Sequence, residues 1–385
     1  MDNKKRKSGL SALWEKIAGR ILRYAFHKRA ISKVLAALKL ITLPKENEKI
    51  KSVLSTLSSF NDHSSIPTGK AYRKLAFDLF FARIYYAAEY KEYFLYGLDK
   101  ADDPNKLDYV CWHELKDYFK KLNELGNPEI YRTKEKTYEV YRDFFRRELL
   151  YIFSEKQKDE FISFFQTHSS WIIKPTDCYG GKGVKIFHLA DGITPDQIWE
   201  EVSVKMPFVL EELIEQAPEM SAFYPHAVNT IRYNTFYNDG KLTRIQAVFR
   251  IGRGGSNVDN ATSGGIYTLV DTETGRILCP ARSFRNELFE DHPDTGVHFE
   301  GSFIPRWDEL NELLEKIVCV VPEQKQLGWD FALSKNGWVM VEGNTMPAIQ
   351  SFDLYHGVRK ILRESFGTVV PMWDRNTVLR KDADK

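Results

Sequence analysis

Two short apolar runs near the C-terminus flank an Asn-Gly pair. They are Leu327-Gly-Trp-Asp330-Phe-Ala-Leu333, then Asn336-Gly337, then Trp338-Val-Met-Val-Glu342-Gly-Asn344. Asn and Gly tolerate the positive φ that tight turns require, so the segment predicts a β-hairpin. Side chains two residues apart on a strand share a face, and therefore Glu342 and Asn344 should project together. Asp330, on the neighbouring strand, can join them.

These three side chains are candidate metal ligands. Hard oxygen donors on one face, with open coordination positions, suit Mg²⁺ that carries phosphates better than a closed structural metal site. The alternative is a hairpin with solvated acids on its exposed face. The trio alone does not decide between the two, and the sequence upstream has to be considered with it.

The composition is that of a globular protein with reduced thiols. A chain of 385 residues with 43% hydrophobic content can bury one large or two moderate cores. The four cysteines are scattered, without Cys-x-x-Cys or zinc-type spacing, which favours a cytoplasmic compartment. The basic start is not followed by a secretory apolar region, and no apolar run approaches about 18 residues. Export and membrane spanning are therefore not expected.

Charge is distributed unevenly along the chain. Residues 1–40 hold eleven Lys and Arg against two acids, a net charge of +9 in a chain whose total is +2. In residues 9–40, apolar side chains at helical spacing predict a basic amphipathic helix. These side chains are Leu10, Leu13, Trp14, Ile17, Ile21 and Leu22.

Two functions fit this basic helix. It could dock on an anionic membrane surface, which would place a cytoplasmic protein at the inner face of the membrane. It could instead pack on the body of the protein with its basic side solvated. Nothing further along the chain resembles a base-contacting module, so nucleic acid is not an expected partner.

The chain divides by texture into four predicted parts. Residues 1–42 form the basic amphipathic segment, residues 43–130 a helical N-terminal region, residues 131–370 the main domain, and residues 371–385 a polar tail. Residues 43–70 are polar and broken by Pro and Gly, which predicts a linker. Residues 71–98, 107–125, 134–149, 155–168, 306–320 and 356–365 are the predicted helices.

The main domain is rich in predicted strands. Strands joined by hairpins and interrupted by a few helices predict an α+β body with antiparallel sheet. The candidates are residues 150–153, 171–174, 184–187, 208–213, 230–237, 242–250, 266–271 and 276–278.

A glycine-rich turn follows one of these strands. Ile172-Ile-Lys174-Pro175 leads into Tyr179-Gly180-Gly181-Lys182-Gly183-Val184. Glycines let the backbone approach a ligand closely, with N–H groups free to bind phosphate oxygens. Lys174 on the strand and Lys182 in the turn would neutralise phosphate charge. The alternative is an ordinary hairpin turn.

Two further segments carry polar groups in unusual density. The apolar strand that begins at Phe208 is followed by Glu211, Glu212 and Glu215. Backbone groups here could pair with the edge of adenine while one acid holds the ribose hydroxyls. The alternative is a strand that ends in solvated acids. The Gly252–Gly265 stretch is too polar for a core, and it predicts either a substrate-covering loop whose amides bind an oxyanion or a flexible loop. Its candidate substrate contacts are Arg253, Ser256, Asn257, Ser263, Gly264 and Gly265.

The order of these motifs resembles the ATP-grasp superfamily. The ordered motifs are the Lys-Pro strand with its glycine turn, the Glu211-Glu-Leu-Ile214 segment, Asn229-Thr-Ile-Arg232, Arg250, and Asp330 with Glu342-Gly-Asn344. Val228–Arg232, Phe249–Asn260 and Ser263–Ile266 are similar to the sugar-transfer-associated ATP-grasp branch found among bacterial capsule and exopolysaccharide proteins. The resemblance covers about residues 130–365.

The resemblance implies an ATP-grasp fold, in which two α+β subdomains grip ATP between antiparallel sheets. Residues 131–215 would be the smaller ATP-binding subdomain, and residues 216–370 the larger metal and substrate subdomain. A helical, basic segment replaces the N-terminal α/β domain of many relatives.

The implied ATP contacts come from both subdomains. Lys174 would contact the α- and β-phosphates, with either Lys134 or Lys136 as a second lysine. Adenine would lie against Glu211, Glu212, Leu213 and Ile214, and Glu215 would hold the ribose. Asp330, Glu342 and Asn344 would bind one or two Mg²⁺ ions, with Mn²⁺ as an alternative. Arg232 and Arg250 would be the catalytic residues, gripping a γ-phosphate or a substrate carboxylate.

The implied activity is an ATP- and Mg²⁺-dependent carboxylate–amine ligase acting through an acyl phosphate. Its partners would be ATP, a small-molecule or sugar-linked carboxylate, and an amine such as an amino acid, in cell-surface polysaccharide or related metabolite biosynthesis. Two alternatives keep the nucleotide site: a kinase that phosphorylates a hydroxyl acceptor, and a catalytically silent nucleotide-binding scaffold at the membrane.

Overall fold

The described residues form two compact units in the computed structural model. They are residues 17, 20–22, 24–57, 65–99, 104–168, 170–175, 185–188, 192, 194–352, 354 and 357–373. Those within 1–121 and 348–385 belong to the first unit, called the helical unit here, and those within 122–347 belong to the second, the sheet unit. The predicted boundaries after residues 42, 130, 215 and 370 stay predictions.

Eleven α-helices have their bounds within the described part of the chain. In chain order they are α1 (Arg29–Lys39), α2 (Leu43–Thr56), α3 (Gly69–Tyr85), α4 (Tyr90–Leu95), α5 (Trp112–Leu125), α6 (Lys134–Phe145), α7 (Lys158–Thr167), α8 (Pro195–Val202), α9 (Pro218–Ser221), α10 (Trp307–Ile317) and α11 (Val358–Ser365). None of them is long and apolar enough to cross a bilayer.

The helical unit has an aromatic core. Phe80, Tyr86, Tyr90 and Tyr109 are each no more than 1% exposed and belong to one cluster. Three of these side chains lie within residues 71–98, but the single helix predicted there is wrong, because the segment forms two helices, α3 and α4. The chain turns after α3, where Ala87 has a φ of +58°, and α4 begins there with a capping box.

Two predictions for the N-terminal region are also corrected. The predicted linker contains α2, which buries Ile50 and Leu54. Pro44 does not prevent this helix, because it lies in the first turn, where its missing N–H has no intrahelical partner to lose. The predicted continuous helix over residues 9–40 is interrupted by a turn at Phe26 and His27 before α1 begins. Residues 1–16 lie outside the described part.

The sheet unit contains two sheets, both antiparallel throughout. The strands are β1 (Leu149–Ile152), β2 (Ser170–Pro175), β3 (Lys185–His188), β4 (Phe208–Glu212), β5 (Thr230–Asn238), β6 (Lys241–Ile251), β7 (Ile266–Val270), β8 (Ala281–Ser283), β9 (Leu288–Phe289), β10 (Gln326–Ser334) and β11 (Gly337–Asn344). The small sheet has the order β1-β4-β2-β3, and the large sheet β11-β10-β5-β6-β7-β8-β9. This confirms the predicted α+β class with antiparallel sheet.

Each sheet has its own core. The large sheet buries Ile231, Phe249 and Trp329, and α10 completes this core with Leu310 and Leu314. The core of the small sheet contains Phe161 of α7, Trp171 of β2 and Ile198 of α8, among others. The two cores fix the strands whose ends carry the predicted site residues.

Several boundaries differ from prediction. The helix predicted over 134–149 ends at Phe145, because Arg146 adopts a φ of +50° and the chain then enters β1. The predicted strand 276–278 forms only isolated bridges, one of them between Ile277 and Val270. Helix α8 was not predicted, although Thr194 and Gln197 form a capping box at its start.

Candidate functional site

The predicted metal-binding hairpin is present. Strands β10 and β11 pair around a turn at Lys335–Asn336, with Asp330 directly opposite Glu342. The Asn344 amide donates a hydrogen bond to Glu342 Oε1 at 2.8 Å. The structure therefore brings Glu342 and Asn344 into contact and places Asp330 at the same level on the next strand.

The Asp330 carboxylate accepts hydrogen bonds from two arginines. Arg232 lies opposite it on β5, and both its Nε and its Nη2 donate to the carboxylate, the latter at 2.8 Å. Arg250 Nη2 donates to Oδ2 at 2.8 Å. Burial opposes the charge of Asp330, which is 3% exposed, but the two guanidiniums lower its pKa. The carboxylate is accordingly ionised at neutral pH.

Arg250 also connects the sheet to the polar loop. Its Nε and Nη2 donate to Thr230 Oγ1 at 2.9 and 2.7 Å, and the Thr230 hydroxyl donates to Asp259. The distance from Arg250 Nε to Asp259 Oδ2 is 3.6 Å. Burial raises the pKa of Asp259, although Arg250 opposes this. Asp259 was not among the predicted site residues, because its only signal in the sequence was an acid inside a Gly-rich segment.

A second buried ion cluster lies on the small sheet. Lys174 Nζ and Arg147 Nη2 both donate to Glu211 Oε2, at 2.9 and 3.1 Å. Arg147 Nη1 donates to the backbone oxygen of Met340 on β11 at 2.6 Å, so this side chain joins the two sheets. No sequence motif had marked Arg147.

The charge on Glu211 is strongly favoured. Burial opposes ionisation, but Lys174, Arg147 and Lys134 together lower its pKa to about 2. Burial lowers the pKa of Lys174, and the positive charge of Lys134 acts in the same direction. Of the two lysines left open by the sequence, Lys134 is thus placed near the Lys174–Glu211 pair. Lys136 donates its backbone N–H to the Thr133 cap at 3.4 Å.

The predicted adenine segment runs from the small sheet to the hairpin. Leu213 N–H donates to the Ser170 carbonyl at 3.2 Å, and Lys335 N–H donates to the Glu215 carbonyl at 3.0 Å. Glu215 is exposed and forms an ion pair with Lys335 at 2.6 Å. Glu212 and Ile214 are half-buried. Gly180, Gly181, Lys182 and Gly183 lie outside the described residues, and all these nucleotide contacts stay predictions.

A cavity of about 670 Å³ lies beside the polar loop. It is lined by five of the six predicted substrate residues, with Asn257 the exception; these are Arg253, Ser256, Ser263, Gly264 and Gly265. Ser283, Arg285 and Asp294 are among the lining residues that the sequence did not single out.

The loop has a defined conformation. Arg253 Nε donates to the Gly264 carbonyl at 2.7 Å, and Gly254 N–H donates to Asp294 at 2.6 Å. A Cβ at Gly265 would lie 2.2 Å from the Asp259 carbonyl oxygen, so only glycine fits there. These contacts give the loop a defined conformation, and its role in binding a substrate stays a prediction.

The family follows from a sequence-model match. A model described as sugar-transfer associated ATP-grasp matches residues 114–364, about two thirds of the chain. The chain belongs to this ATP-grasp family. The resemblance inferred from the motifs is confirmed by this match. No curated protein matches the chain by sequence.

Several solved structures resemble the chain distantly. D-alanyl-alanine synthetase A from Vibrio cholerae is 13% identical with a TM-score of 0.37, and 61% of each chain is covered. N5-carboxyaminoimidazole synthetase from Staphylococcus aureus, complexed with ADP, is 12% identical with a TM-score of 0.40, covering 63% of this chain and 54% of that one. D-alanine–D-alanine ligase from Bacillus anthracis is 13% identical with a TM-score of 0.36, covering 62% and 68%. The chain thus spans less than two thirds of the length of the Vibrio cholerae and Staphylococcus aureus proteins.

The depressed pKa of Glu211 predicts a pH effect on the stability of this ATP-grasp domain. Its carboxylate contributes stability above the ordinary pKa of 4.5, and this is lost as pH falls towards 2. Between pH 7 and pH 3, wild type should lose about 2 kcal/mol more unfolding free energy than Glu211→Gln. Urea unfolding between pH 7 and pH 3 measures it, with Glu212→Gln on the neighbouring residue as the control. Equal pH slopes for wild type and Glu211→Gln would contradict the prediction.

Proposed function

We propose that this chain is an ATP- and Mg²⁺-dependent ligase that joins a carboxylate to an amine through an acyl phosphate. The observation that carries the proposal is the row Arg232, Asp330 and Glu342 at one level of three adjacent strands. Cations and hard oxygen donors lie side by side there, as the transfer of a phosphoryl group between anions requires. Family membership supports the same chemistry.

The nucleotide would be held from both sheets. Lys174, with Lys134 nearby, supplies positive charge from the small sheet for the α- and β-phosphates. Glu211 fixes the position of the Lys174 ammonium through their 2.9 Å hydrogen bond. The segment that includes Leu213 and Glu215 would take the adenine and ribose, since it passes directly from β4 to the hairpin.

The donor chemistry fits Mg²⁺. Among the described residues, no group of three His, Cys, Asp or Glu side chains is placed to hold a metal ion. A third ligand beside Asp330 and Glu342 would therefore be the amide oxygen of Asn344. Glu342 and Asn344 are half-buried and in contact, and Asp330 keeps one lone pair on Oδ1 beyond the three that accept from the arginines. When bound, Mg²⁺ would neutralise charge on the phosphate oxygens.

Arg232 and Arg250 would position the reacting anions. Each guanidinium has five N–H donors and keeps some beyond those given to Asp330 and Thr230. These can grip the γ-phosphate and the attacking carboxylate, and Asp330 holds both arginines in place. The residues act by orientation and charge stabilisation, which for this chemistry need no protein nucleophile.

The reaction would run in two steps. A carboxylate oxygen of the acceptor attacks the γ-phosphorus, and the bond to the ADP oxygen breaks. The amine nitrogen then attacks the acyl carbon, loses a proton, and displaces phosphate, which carries away the original carboxylate oxygen. The products are an amide, ADP and phosphate.

The acceptor would lie in the 670 Å³ cavity, whose size is in the usual range for ligand sites, about 300–1,000 Å³. Arg253 and Arg285 supply positive charge for a carboxylate, while the polar lining, which includes Thr262 and Ser263, suits a polyhydroxylated molecule such as a sugar. A uronic acid, with an amino acid as the amine, is therefore the first substrate pair to test. Such a product belongs to cell-surface polysaccharide or related metabolite synthesis.

Isotope tracing tests the reaction type. Uronic-acid sugars labelled with ¹⁸O in the carboxylate are incubated with amino acids, ATP and Mg²⁺, and products are weighed by mass spectrometry. We expect ADP, an amide, and phosphate that carries one ¹⁸O atom. Phosphate retained on a hydroxyl would assign a kinase instead. ATP binding without turnover on any acceptor would favour the scaffold alternative.

The metal ligands give a direct prediction. Glu342→Gln and Asn344→Ala should each lower ATP turnover at least about 100-fold, because both remove a donor to the phosphate-bound ion. Thermal unfolding should change little, since both side chains are half-buried at a strand end. ADP release at saturating ATP measures turnover, and the exposed Glu300→Gln serves as the matched control. Unaltered turnover in both site variants would refute the assignment.

A further inference from the structure

The outward side of α1 in the helical unit is apolar. Val34 and Leu38 on α1, and Ile41 in the 3₁₀ turn that follows it (Leu40–Thr42), are 61%, 57% and 79% exposed and are spaced i, i+4, i+7. The opposite side of α1 is already used, since Ser32 and Ala36 are buried in the unit. We call the three exposed side chains the α1 stripe. It is not covered by any described residue.

The same spacing occurs just upstream. Ile17, Ile21 and Tyr24 are 36%, 47% and 42% exposed, again at i, i+4 and i+7. Together with Leu22 and the α1 stripe, seven of the 17 exposed large hydrophobic side chains among the described residues fall between residues 17 and 41. Scattered exposed hydrophobics are normal, but such a concentration marks an interaction surface.

The charge around the stripe specifies the partner. Residues 16–45 contain eight Lys or Arg and no Asp or Glu. Arg29 and Lys33 are exposed and lie along one side of the stripe on the helical wheel. An exposed apolar stripe within a strongly basic segment matches an anionic lipid surface, which offers acyl chains and negative headgroups together.

We propose that the α1 stripe and its flanking cations dock the protein on an anionic lipid bilayer. Helix α1 would lie in the plane of the interface, with Val34, Leu38 and Ile41 in the headgroup boundary. This is surface binding, and it is independent of the proposed ligase activity.

Flotation of the full-length protein tests the proposal. Vesicles of phosphatidylglycerol and phosphatidylcholine in equal parts are compared with vesicles of phosphatidylcholine alone. Wild type should float with the anionic vesicles only. The triple variant Val34→Ser/Leu38→Ser/Ile41→Ser should partition at least about tenfold more weakly.

Controls separate docking from general stickiness and from misfolding. Phe153, Val204 and Leu288 of the sheet unit are 62%, 80% and 64% exposed, so their triple Ser variant removes matched apolar area elsewhere and should float like wild type. Arg29→Gln/Lys33→Gln should also bind about tenfold more weakly. Lys241→Gln/Lys316→Gln, on exposed lysines of the sheet unit, should not. Circular dichroism melting checks that each variant is folded.

Three outcomes would overturn the proposal. They are a wild type that stays unbound, an α1-stripe variant that floats normally, and equal binding to both vesicle types. If sedimentation shows a dimer that the α1-stripe variant abolishes while no vesicle binding is seen, the occupant is a second copy of this chain. ATP turnover should be unchanged in the α1-stripe variant.

Discussion

Replacing Asp330 with Asn is expected to destabilise the sheet unit by about 3–5 kcal/mol, because it leaves two adjacent guanidiniums without their counter-ion. The carboxylate is 3% exposed and accepts hydrogen bonds from both Arg232 and Arg250. Asn preserves the shape but offers one acceptor oxygen and no charge. ATP turnover should be lost as well, since Asp330 holds both arginines that the proposed reaction uses.

Urea unfolding followed by tryptophan fluorescence measures the loss of stability. Trp329 on β10, next to Asp330, and Trp338 on the paired strand β11 are both buried and report on this part of the sheet. Asp239→Asn, the same substitution in the exposed turn between β5 and β6, is the matched control and should be nearly neutral. Adding Arg250→Gln to Asp330→Asn should recover part of the loss, since one uncompensated charge is removed. An Asp330→Asn protein as stable as wild type would show that the cluster is not the main electrostatic tie of the large sheet.

Replacing Arg359 with Met should destabilise the helical unit by about 3–5 kcal/mol. Arg359, on α11, donates to both oxygens of Glu114 at 2.6 and 2.8 Å. It also donates to the carbonyls of Leu107 and Tyr109, at 2.7 and 2.9 Å. Met fills the volume, but it leaves the Glu114 carboxylate, which is 0% exposed, without its cation.

Thermal and urea unfolding of full-length protein check this value. Lys360→Met, at the next position on α11 with a side chain 78% exposed, is the control and should unfold like wild type. Adding Glu114→Gln to Arg359→Met should restore part of the stability, because the buried charge then disappears with its partner. If the double variant is no better than the single one, lost packing rather than the ion pair explains the effect.

The local parts of the candidate site were predictable from the sequence. The terminal hairpin was predicted from an Asn-Gly pair between two apolar runs. The strand that contains Lys174 was predicted from a short apolar run followed by a glycine-rich turn. Both signals lie within about a dozen residues. The pairing of Glu342 with Asn344 followed from strand periodicity, since it needs no information from elsewhere in the chain.

The long-range partners were not predictable in the same way. The sequence placed Asp330 beside Glu342 and Asn344, but it did not indicate the hydrogen bonds that Asp330 accepts from arginines 98 and 80 residues away. Arg147 reaches Glu211 across 64 residues, and nothing around Arg147 announces that contact. Such partners depend on which strands become neighbours, a property of the assembled sheet rather than of any window of sequence.

Helix errors had a different physical origin. Helix α2 was missed because polar composition and Pro44 suggested a linker, whereas burial of Ile50 and Leu54 stabilises it in the folded unit. Helix α8 was missed although the sequence contains the Thr194 and Gln197 pair of its capping box. The break after α3 occurs inside an unbroken aromatic run, where Ala87 adopts a conformation that its type rarely takes.

The position of Asp259 makes the two proposed substrates interdependent. This carboxylate belongs to the loop that lines the proposed acceptor cavity, yet it is held by Thr230 and lies 3.6 Å from Arg250. If a bound triphosphate drew Arg250 towards itself, as the proposed function implies, Asp259 would lose its nearest cation and the wall of that cavity would be perturbed. By thermodynamic reciprocity, whatever the nucleotide does to acceptor affinity, the acceptor does equally to nucleotide affinity.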